Sequence, residues 1–265
     1  MSRRERVYRT EGVVLRRQNL GEADRLTTIY TLHHGKLRLV AKGVRRLHSR
    51  KAGHLEPFTR VALLIARGRD LDIITQAETI EDYLTLQTDL ERLGYASYLV
   101  ELLDRFTVEE GEENQAQYRL LLDAMGRLAQ KKADPAAVIL YFELRLLELV
   151  GYRPELFQCV GCGSEIRPEN QYFTFLHGGV ICPTCAEEKR QLTSLSLPVL
   201  KVLRHFQRSN FTIASTPQIP PELFDNVDQL MEGYINYLLE RQLNVPAFLK
   251  RLRYLNQGGM EKEAL

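Results

Sequence analysis

The sequence has no tryptophan, no long apolar run and no glycine-rich phosphate-binding loop. Because no stretch approaches 18 uninterrupted apolar residues, we expect no transmembrane helix and no membrane partner. The start, MSRRERVYRT, is basic but precedes no apolar signal core, which predicts a cytoplasmic protein. Without a G-x-x-x-x-G-K-[ST] or G-x-G-x-x-G motif, neither a nucleotide-driven motor nor a dinucleotide site is indicated.

Acidic residues are scarce in the first third of the chain. Residues 1–81 carry 17 Lys or Arg against 9 Asp or Glu, whereas the remaining residues carry 19 against 25. A chain with a net charge of only +2 therefore joins a segment of +8 to a remainder of −6. This asymmetry favours a basic module that binds a polyanion, above all nucleic acid, over a merely solvated charged surface.

The basic segment has the pattern of a small β-barrel. Residues 7–81 contain five short runs rich in Val, Ile, Leu, Thr and Tyr, and Asn19-Leu20-Gly21, His34-Gly35 and Gly68-Arg69-Asp70 mark turns between them. Five strands in this length predict an OB-type barrel. The longest connection, residues 43–57, falls between the third and fourth strands, where such barrels commonly carry an inserted helix or long loop.

Beyond Tyr83 the apolar spacing becomes helical. One helix is well marked, because Asp134 is a good N-cap, Pro135 suits the first helical position and Gly151 ends the pattern. The acidic residues 109–113 are interpreted as an exposed link between helices. We therefore predict an α+β multi-domain protein. Its predicted parts are an OB-fold DNA-binding barrel (1–81), a first helical part (82–158), a four-cysteine insert (159–189) and a second helical part (190–265), which ends with a turn from Pro246 and a frayed tail.

All four cysteines lie in two C-x2-C pairs separated by 19 residues: Cys159, Cys162, Cys182 and Cys185. Each pair lets two thiolates face one ion, and two pairs complete a tetrahedron. Two disulfides are the alternative, which a reducing cytoplasm disfavours. The spacing predicts one Zn²⁺, and four thiolates leave no open position for substrate, so its role is predicted to be structural.

Acidic residues of the barrel segment offer a competing interpretation. Asp70, Asp72, Glu78 and Glu81 could hold a metal ion for a nuclease. However, Asp70 fits a turn, and Asp72 and Glu78 fit the alternating outer face of a strand. We found no other pattern of catalytic residues and do not expect an enzyme.

Positive charge is concentrated between Lys36 and Phe58, where Glu56 is the only acid. In the third predicted strand, Lys36, Arg38 and Lys42 alternate with apolar residues, which predicts an outward basic face. Further cations follow in the long connection and at the end of the first strand. The predicted phosphate-binding groove comprises Arg16, Arg17, Lys36, Arg38, Lys42, Arg45, Arg46, Arg50 and Lys51.

Three segments resemble the amino-terminal domain of the bacterial recombination mediator RecO family: residues 21–24 (GEAD), 42–45 (KGVR) and 55–58 (LEPF). The resemblance extends through the helical region and the cysteine pairs. It implies an OB barrel, a helical domain and a zinc insert. It also implies a non-enzymatic DNA repair protein that binds single- and double-stranded DNA, anneals complementary strands without ATP, and with RecR helps to load RecA onto DNA coated by single-stranded DNA-binding protein (SSB). Such a protein would be associated with the nucleoid.

Aromatic residues qualify this interpretation. OB domains often stack bases on exposed aromatics, but Tyr8, Tyr30 and Phe58 are as compatible with a barrel core. We therefore expect binding to depend on charge, with weak discrimination between single strand and duplex. Two alternatives stay open: a structural zinc-ribbon adaptor whose main partner is protein, and the metal-dependent nuclease.

Overall fold

A computed structural model describes residues 6–108, 115–187, 190–243 and 245. The chain forms two compact units, residues 1–129 and residues 130–265. The basic residues Arg3 and Arg4, the acidic link at 109–113 and the predicted turn from Pro246 lie outside the described residues.

The first unit is built on five strands that form a closed barrel in the order β1-β2-β3-β5-β4. The strands are β1 (Val7–Leu20), β2 (Asp24–Thr31), β3 (Gly35–Ala41), β4 (Arg60–Ala66) and β5 (Asp72–Glu81). β1 is long and pairs antiparallel with both β2 and β4, with a register shift between Val14 and Arg16. β3 and β5 pair in parallel. The prediction of five strands in residues 7–81 is confirmed.

The alternation of buried and half-exposed residues along each strand determines which side chains fill the barrel. In β4, Val61, Leu63 and Ile65 are buried while the residues between them are half-exposed. They pack with Val14, Ile29, Leu39, Ala41 and Ile74 in one apolar cluster. The period of two therefore places one face of each strand in the core, as strand geometry requires.

The first unit also contains three helices: α1 (Leu84–Thr88), α2 (Leu90–Phe106) and α3 (Gln115–Ala129). Asp89 separates α1 from α2 because its side chain accepts hydrogen bonds from the amides of Glu91 and Arg92, as an N-cap does. These helices belong to the same compact unit as the strands. β5 ends at Glu81, and the compact unit continues to residue 129.

The second unit surrounds helix α4 (Pro135–Leu149). Asp134 caps it by accepting a hydrogen bond from the amide of Ala136 at 3.1 Å, and Phe142 and Leu146 are fully buried. The predicted N-cap and central packing of this helix are therefore confirmed. The other elements of this unit are β6 (Gln171–Thr174), β7 (Gly179–Ile181), α5 (Pro183–Ala186), β8 (Thr193–Leu195), α6 (Leu197–Arg208), α7 (Phe211–Ala214) and α8 (Pro221–Leu239).

Strands β6, β7 and β8 form a small antiparallel sheet in the order β7-β6-β8. Phe173 of β6 packs edge-on against Tyr234 of α8, with ring centroids 5.4 Å apart. This contact joins the cysteine-rich segment to the helices of its own unit. Within the described part of the chain, no helix is both long and apolar enough to span a membrane.

Candidate nucleic-acid interface and metal centre

Residues 42–59 connect β3 to β4 and form the basic loop. Two apolar side chains, Val44 and Leu55, are each only 1% exposed and anchor the loop in the barrel core. Its backbone is also fixed, because the amide of Gly43 donates to Oδ1 of Asp24 at 2.7 Å and the amide of Arg45 donates to the carbonyl of Ala23 at 2.9 Å. The loop is therefore anchored to the turn between β1 and β2.

The outer side of the basic loop carries cations. Lys42, Arg45, Arg46 and Arg50 are exposed, and no acidic residue lies between positions 42 and 55. Nη1 of Arg45 donates to the carbonyl of Gly21 at 2.8 Å, which orients its guanidinium without neutralising it. Exposed, uncompensated cations on a fixed backbone suit contacts with successive phosphates.

Other cations of the predicted groove bind groups within the protein. Nζ of Lys51 donates to the carbonyl of Ile74 at 2.9 Å, and burial lowers the pKa of this lysine although Asp24 opposes the shift. Arg17 pairs with Glu56, which also lies 3.6 Å from Arg25. The single acid of the stretch is thus held between two arginines, an arrangement that the sequence spacing did not indicate.

The burial of Lys36 contradicts one prediction. It was expected to display its charge, but it is only 6% exposed. Its Nζ donates to Oδ1 of Asp104 at 2.9 Å and to the carbonyls of Asp104 and Thr107, each at 2.6 Å. The C-terminal end of α2 covers this part of β3, and its free carbonyls and Asp104 accept the ammonium. The prediction that Lys36 lies on an outward basic face is therefore wrong.

Arg16 shares the same carboxylate, since its Nε lies 3.1 Å from Oδ2 of Asp104. Its side chain is 42% exposed, so the guanidinium stays accessible beside the pair. Arg38 is half-buried and lines a cavity of about 320 Å³ with His34 and Arg67. Among the nine predicted cations, the basic loop supplies the exposed ones.

Two of the three barrel aromatics are buried, and the third packs against the apolar cluster of the barrel. Tyr30 is 1% exposed and burial raises its pKa to about 12, while Phe58 is 8% exposed. Tyr8 packs against the core cluster, and its hydroxyl donates to Oδ2 of Asp72 at 2.8 Å. Tyr30 is not part of the barrel core, because its hydroxyl donates to Oε1 of Gln117 in α3 and the ring lies outside the apolar cluster. Its burial nevertheless removes it from base stacking.

The second site consists of the four cysteines. Their Sγ atoms all lie within 4.8 Å of one another, and none forms a disulfide. Four thiolates about 2.3 Å from a tetrahedral Zn²⁺ would be about 3.8 Å apart, and Sγ of Cys162 lies 4.0 Å from Sγ of Cys182. The donor set and its spacing therefore fit a single metal ion.

The local backbone explains how the first cysteine pair turns. Gly163 has a φ of +74°, a conformation that favours glycine. A Cβ at Gly161 would lie 3.2 Å from Cβ of Cys185, so a side chain there would crowd the opposite pair. The amides of Gly161 and Cys182 each donate to Sγ of Cys159 at 3.4 Å. These donors favour a thiolate at Cys159.

Contacts within the cluster shift the pKa values of the cysteine thiols. Hydrogen bonds from the side chain and backbone of Ser164 lower the pKa of Cys162 to about 6. In contrast, hydrogen bonds to Cys162 and Cys182 raise the pKa of Cys185 to about 12. Four thiolates at this separation repel one another, and a divalent cation would relieve that repulsion. Ser164 is a contributor that the C-x2-C pattern did not reveal.

Asp72, one of the acidic residues proposed for a nuclease, has other contacts. Asp72 accepts hydrogen bonds from the hydroxyl of Tyr8 and from the amide of Gly68, the latter at 3.0 Å, so it holds the turn before β5. Within the described ranges, the four cysteines are the only group of three or more side chains placed to hold a metal ion. Asp70, Asp72, Glu78 and Glu81 do not form such a group.

Comparison with known families assigns both halves of the chain. The model for the N-terminal domain of recombination protein O matches residues 1–83, and the model for its C-terminal domain matches residues 87–247. The chain belongs to the RecO family. It is similar to the DNA repair protein RecO of Roseiflexus sp. (strain RS-1), with 41% identity over 95% of this chain and 88% of that protein. A similar RecO, from Desulforamulus reducens, is 34% identical over 96% of this chain and 98% of the relative.

The RecO resemblance noted in the sequence has a structural basis in the barrel. Two of the three segments that carry it meet there, because Asp24 of GEAD binds the amide of Gly43 in KGVR. The third is bound to β1, since Glu56 of LEPF pairs with Arg17. The backbone beside them is joined as well, since the amide of Phe58 donates to the carbonyl of Val14 at 2.9 Å. The segments thus build the base of the basic loop, and membership of the RecO family gives the chain a role in DNA repair and recombination.

Proposed function

We propose that this RecO-family chain is a recombination mediator that binds single- and double-stranded DNA through the basic loop of an OB-type barrel. The observation that carries the proposal is the exposed, acid-free row of Lys42, Arg45, Arg46 and Arg50 on an anchored loop. Arg16, Arg17, Arg38 and Lys51 are half-buried and serve as secondary contacts. Lys36 supports the barrel and does not contact DNA.

The proposed recognition is largely independent of sequence. Guanidinium and ammonium groups bind phosphate oxygens, which are the same at every nucleotide. Each neutralised phosphate releases counterions, so affinity falls as salt rises. The strand order β1-β2-β3-β5-β4, with β3 and β5 parallel, supports the OB assignment.

Annealing follows from the same charges. Complementary strands repel each other through their phosphates, and a surface that neutralises both backbones reduces this repulsion. The barrel aromatics Tyr30 and Phe58 are buried, which leaves the bases of bound strands free to pair. The free energy of DNA binding offsets the repulsion between the strands, so we propose that annealing needs no ATP.

The cysteine cluster is proposed to hold one structural Zn²⁺ through Cys159, Cys162, Cys182 and Cys185. The close approach of the four Sγ atoms supports this assignment. Zinc would supply the cross-link between two turns that have little apolar core of their own. The chain's residues fill all four positions and leave none for a substrate.

The partners proposed for this chain are RecR, SSB and, indirectly, RecA. In this proposal the chain, with RecR, assists the loading of RecA onto single strands coated by SSB. The support is membership of the RecO family together with the DNA-binding surface proposed here.

The test is annealing of fluorophore- and quencher-labelled complementary oligonucleotides by the purified full chain without ATP, at several salt concentrations. We expect the rate to rise with protein until the strands are partly covered and to fall when both are coated separately. A rate equal to the protein-free rate at every concentration, or a requirement for ATP, would contradict the proposal and favour the adaptor alternative.

A further inference from the structure

The tip of the basic loop carries an apolar side chain. Leu47 is 94% exposed, the highest value among the large apolar side chains that the structure describes as exposed. A single exposed leucine is ordinary on a protein surface. This leucine differs in its surroundings, because Arg45 and Arg46 precede it and His48 and Arg50 follow it, and all four are exposed.

The backbone holds Leu47 away from the barrel. The amide of Arg46 donates to the carbonyl of Gly43 at 3.2 Å, and the amide of Ser49 donates to the carbonyl of Arg46 at 3.0 Å. Leu47 lies at the second position of this latter turn. Val44, on the opposite side of the loop, is 1% exposed and fixed in the core. The leucine is thus presented outward by an anchored segment.

We infer, building on the proposed DNA binding, that Leu47 is a base-contacting wedge. The cations beside it would hold phosphates of a strand, which brings the apolar tip to the bases of the same strand. Apolar side chains such as leucine enter between base steps in other nucleic-acid complexes. The wedge recognises unpaired bases, whereas the paired bases of a duplex would first have to unstack.

The charge around Leu47 favours DNA over the other partners of a basic, apolar tip. Insertion into a lipid surface needs an apolar face of several residues, and residues 45–50 offer one leucine among three arginines and a histidine. A strand supplies a phosphate for each cation and a base for the leucine. Leu47 therefore adds a preference for single strands that charge alone does not provide.

The test compares Leu47→Ala with Leu84→Ala, a control that removes an exposed leucine from α1 of the same unit. Binding of the full-length variants would be titrated against a single strand, the same strand with its bases replaced by abasic sites, and a duplex of equal length. Leu47→Ala should bind the normal single strand about fivefold more weakly than the unmodified chain. Its affinity for the abasic strand and the duplex should be unchanged, as should the salt slope. Leu84→Ala should behave as the unmodified chain.

Equal loss of affinity for normal and abasic strands, or no loss for either, would overturn the inference. So would a Leu47-dependent association with anionic vesicles that matches or exceeds that with single-stranded DNA. These outcomes are distinguishable from failure of the proposed function, in which the unmodified chain would bind none of the three DNAs. Leu47→Phe provides a gain-of-contact test, because its larger face should tighten binding to the normal strand alone.

Discussion

The basic loop and the cysteine cluster are both short, irregular segments, but different forces fix their shapes. The basic loop is held by hydrogen bonds to the β1–β2 turn and by Val44 and Leu55 in a core that already exists. The cysteine turns bring four thiols together beside a sheet whose strands have only three or four residues. One segment can therefore display charge without a cofactor, whereas the other should depend on a metal ion.

Removal of the metal should produce the largest effect. Cys162→Ser, or chelation of the proposed Zn²⁺, should lower the stability of the second unit by several kcal/mol, because structural zinc contributes about 10 kcal/mol or more in small domains. Elemental analysis should give one zinc per chain, and calorimetry should show the loss of stability. DNA affinity measured below the unfolding temperature should change little. Absence of metal together with four reactive thiols in the purified protein would contradict this prediction.

Loss of the buried ammonium should destabilise the barrel unit next most strongly. Lys36→Ala leaves two carbonyls without this donor and leaves Arg16 as the remaining cation at Asp104, which should cost about 2 kcal/mol of unfolding free energy. Denaturant unfolding would measure this cost. The salt slope of DNA binding should not change, since Lys36 does not face solvent. If Lys36→Ala reduced the salt slope of DNA binding and left stability normal, Lys36 would instead be a DNA-contacting residue.

The substitution Lys42→Ala should have the opposite effects to Lys36→Ala, with little change in stability and weaker DNA binding. Lys42 is exposed and directly follows β3, the strand that contains Lys36, so its removal should change stability by less than about 0.5 kcal/mol. DNA affinity should fall about threefold, and the salt slope should decrease by about one phosphate contact. Titrations at three or more salt concentrations would check both values. A large loss of stability with unchanged DNA binding would show that the two lysines have been assigned the wrong roles.

Extremes of pH should have smaller effects, and only the acid end should distinguish the two regions. Burial raises the pKa of Tyr30 and Tyr118 in the first unit, and of Tyr234 in the second, to about 12. The contribution of these rings to stability is therefore complete below pH 10 and is lost in both units as pH rises through 12. We expect a loss of about 1 kcal/mol for each ring. The cysteine cluster should fail at the acid end, where protons compete with metal for the thiolates. Unfolding midpoints between pH 5 and 12 would check this, with Tyr30→Phe expected to reduce the alkaline loss.

Patterns that depend on neighbours in sequence predicted much of the molecule. The period of two gave the five strands, Asp134 and Pro135 gave the start of α4, and the C-x2-C spacing predicted the sulfur cluster. Each of these signals arises within a few residues or from a repeated motif. They do not require knowledge of which elements pack together.

Features that depend on distant contacts were not predictable in this way. The burial of Lys36 requires the end of α2 to lie on β3, 68 residues away in sequence. The pairing of Glu56 with Arg17 joins the basic loop to β1 across 39 residues. Strand parity assigned the correct core face but could not show that a helix covers part of the other face.

We propose that the basic loop, and not the cysteine region, contacts DNA through its exposed arginines. This is tested most directly by titrating a single strand and a duplex with Arg45→Glu/Arg46→Glu, over a range of salt concentrations. The control is Arg119→Glu/Arg127→Glu, which makes the same charge change on α3 of the same unit. We expect the loop variant to bind both DNAs at least tenfold more weakly at low salt, with a flatter salt slope, while the control stays within about twofold. Equal weakening by the two variants, or normal binding by the loop variant, would contradict the proposal.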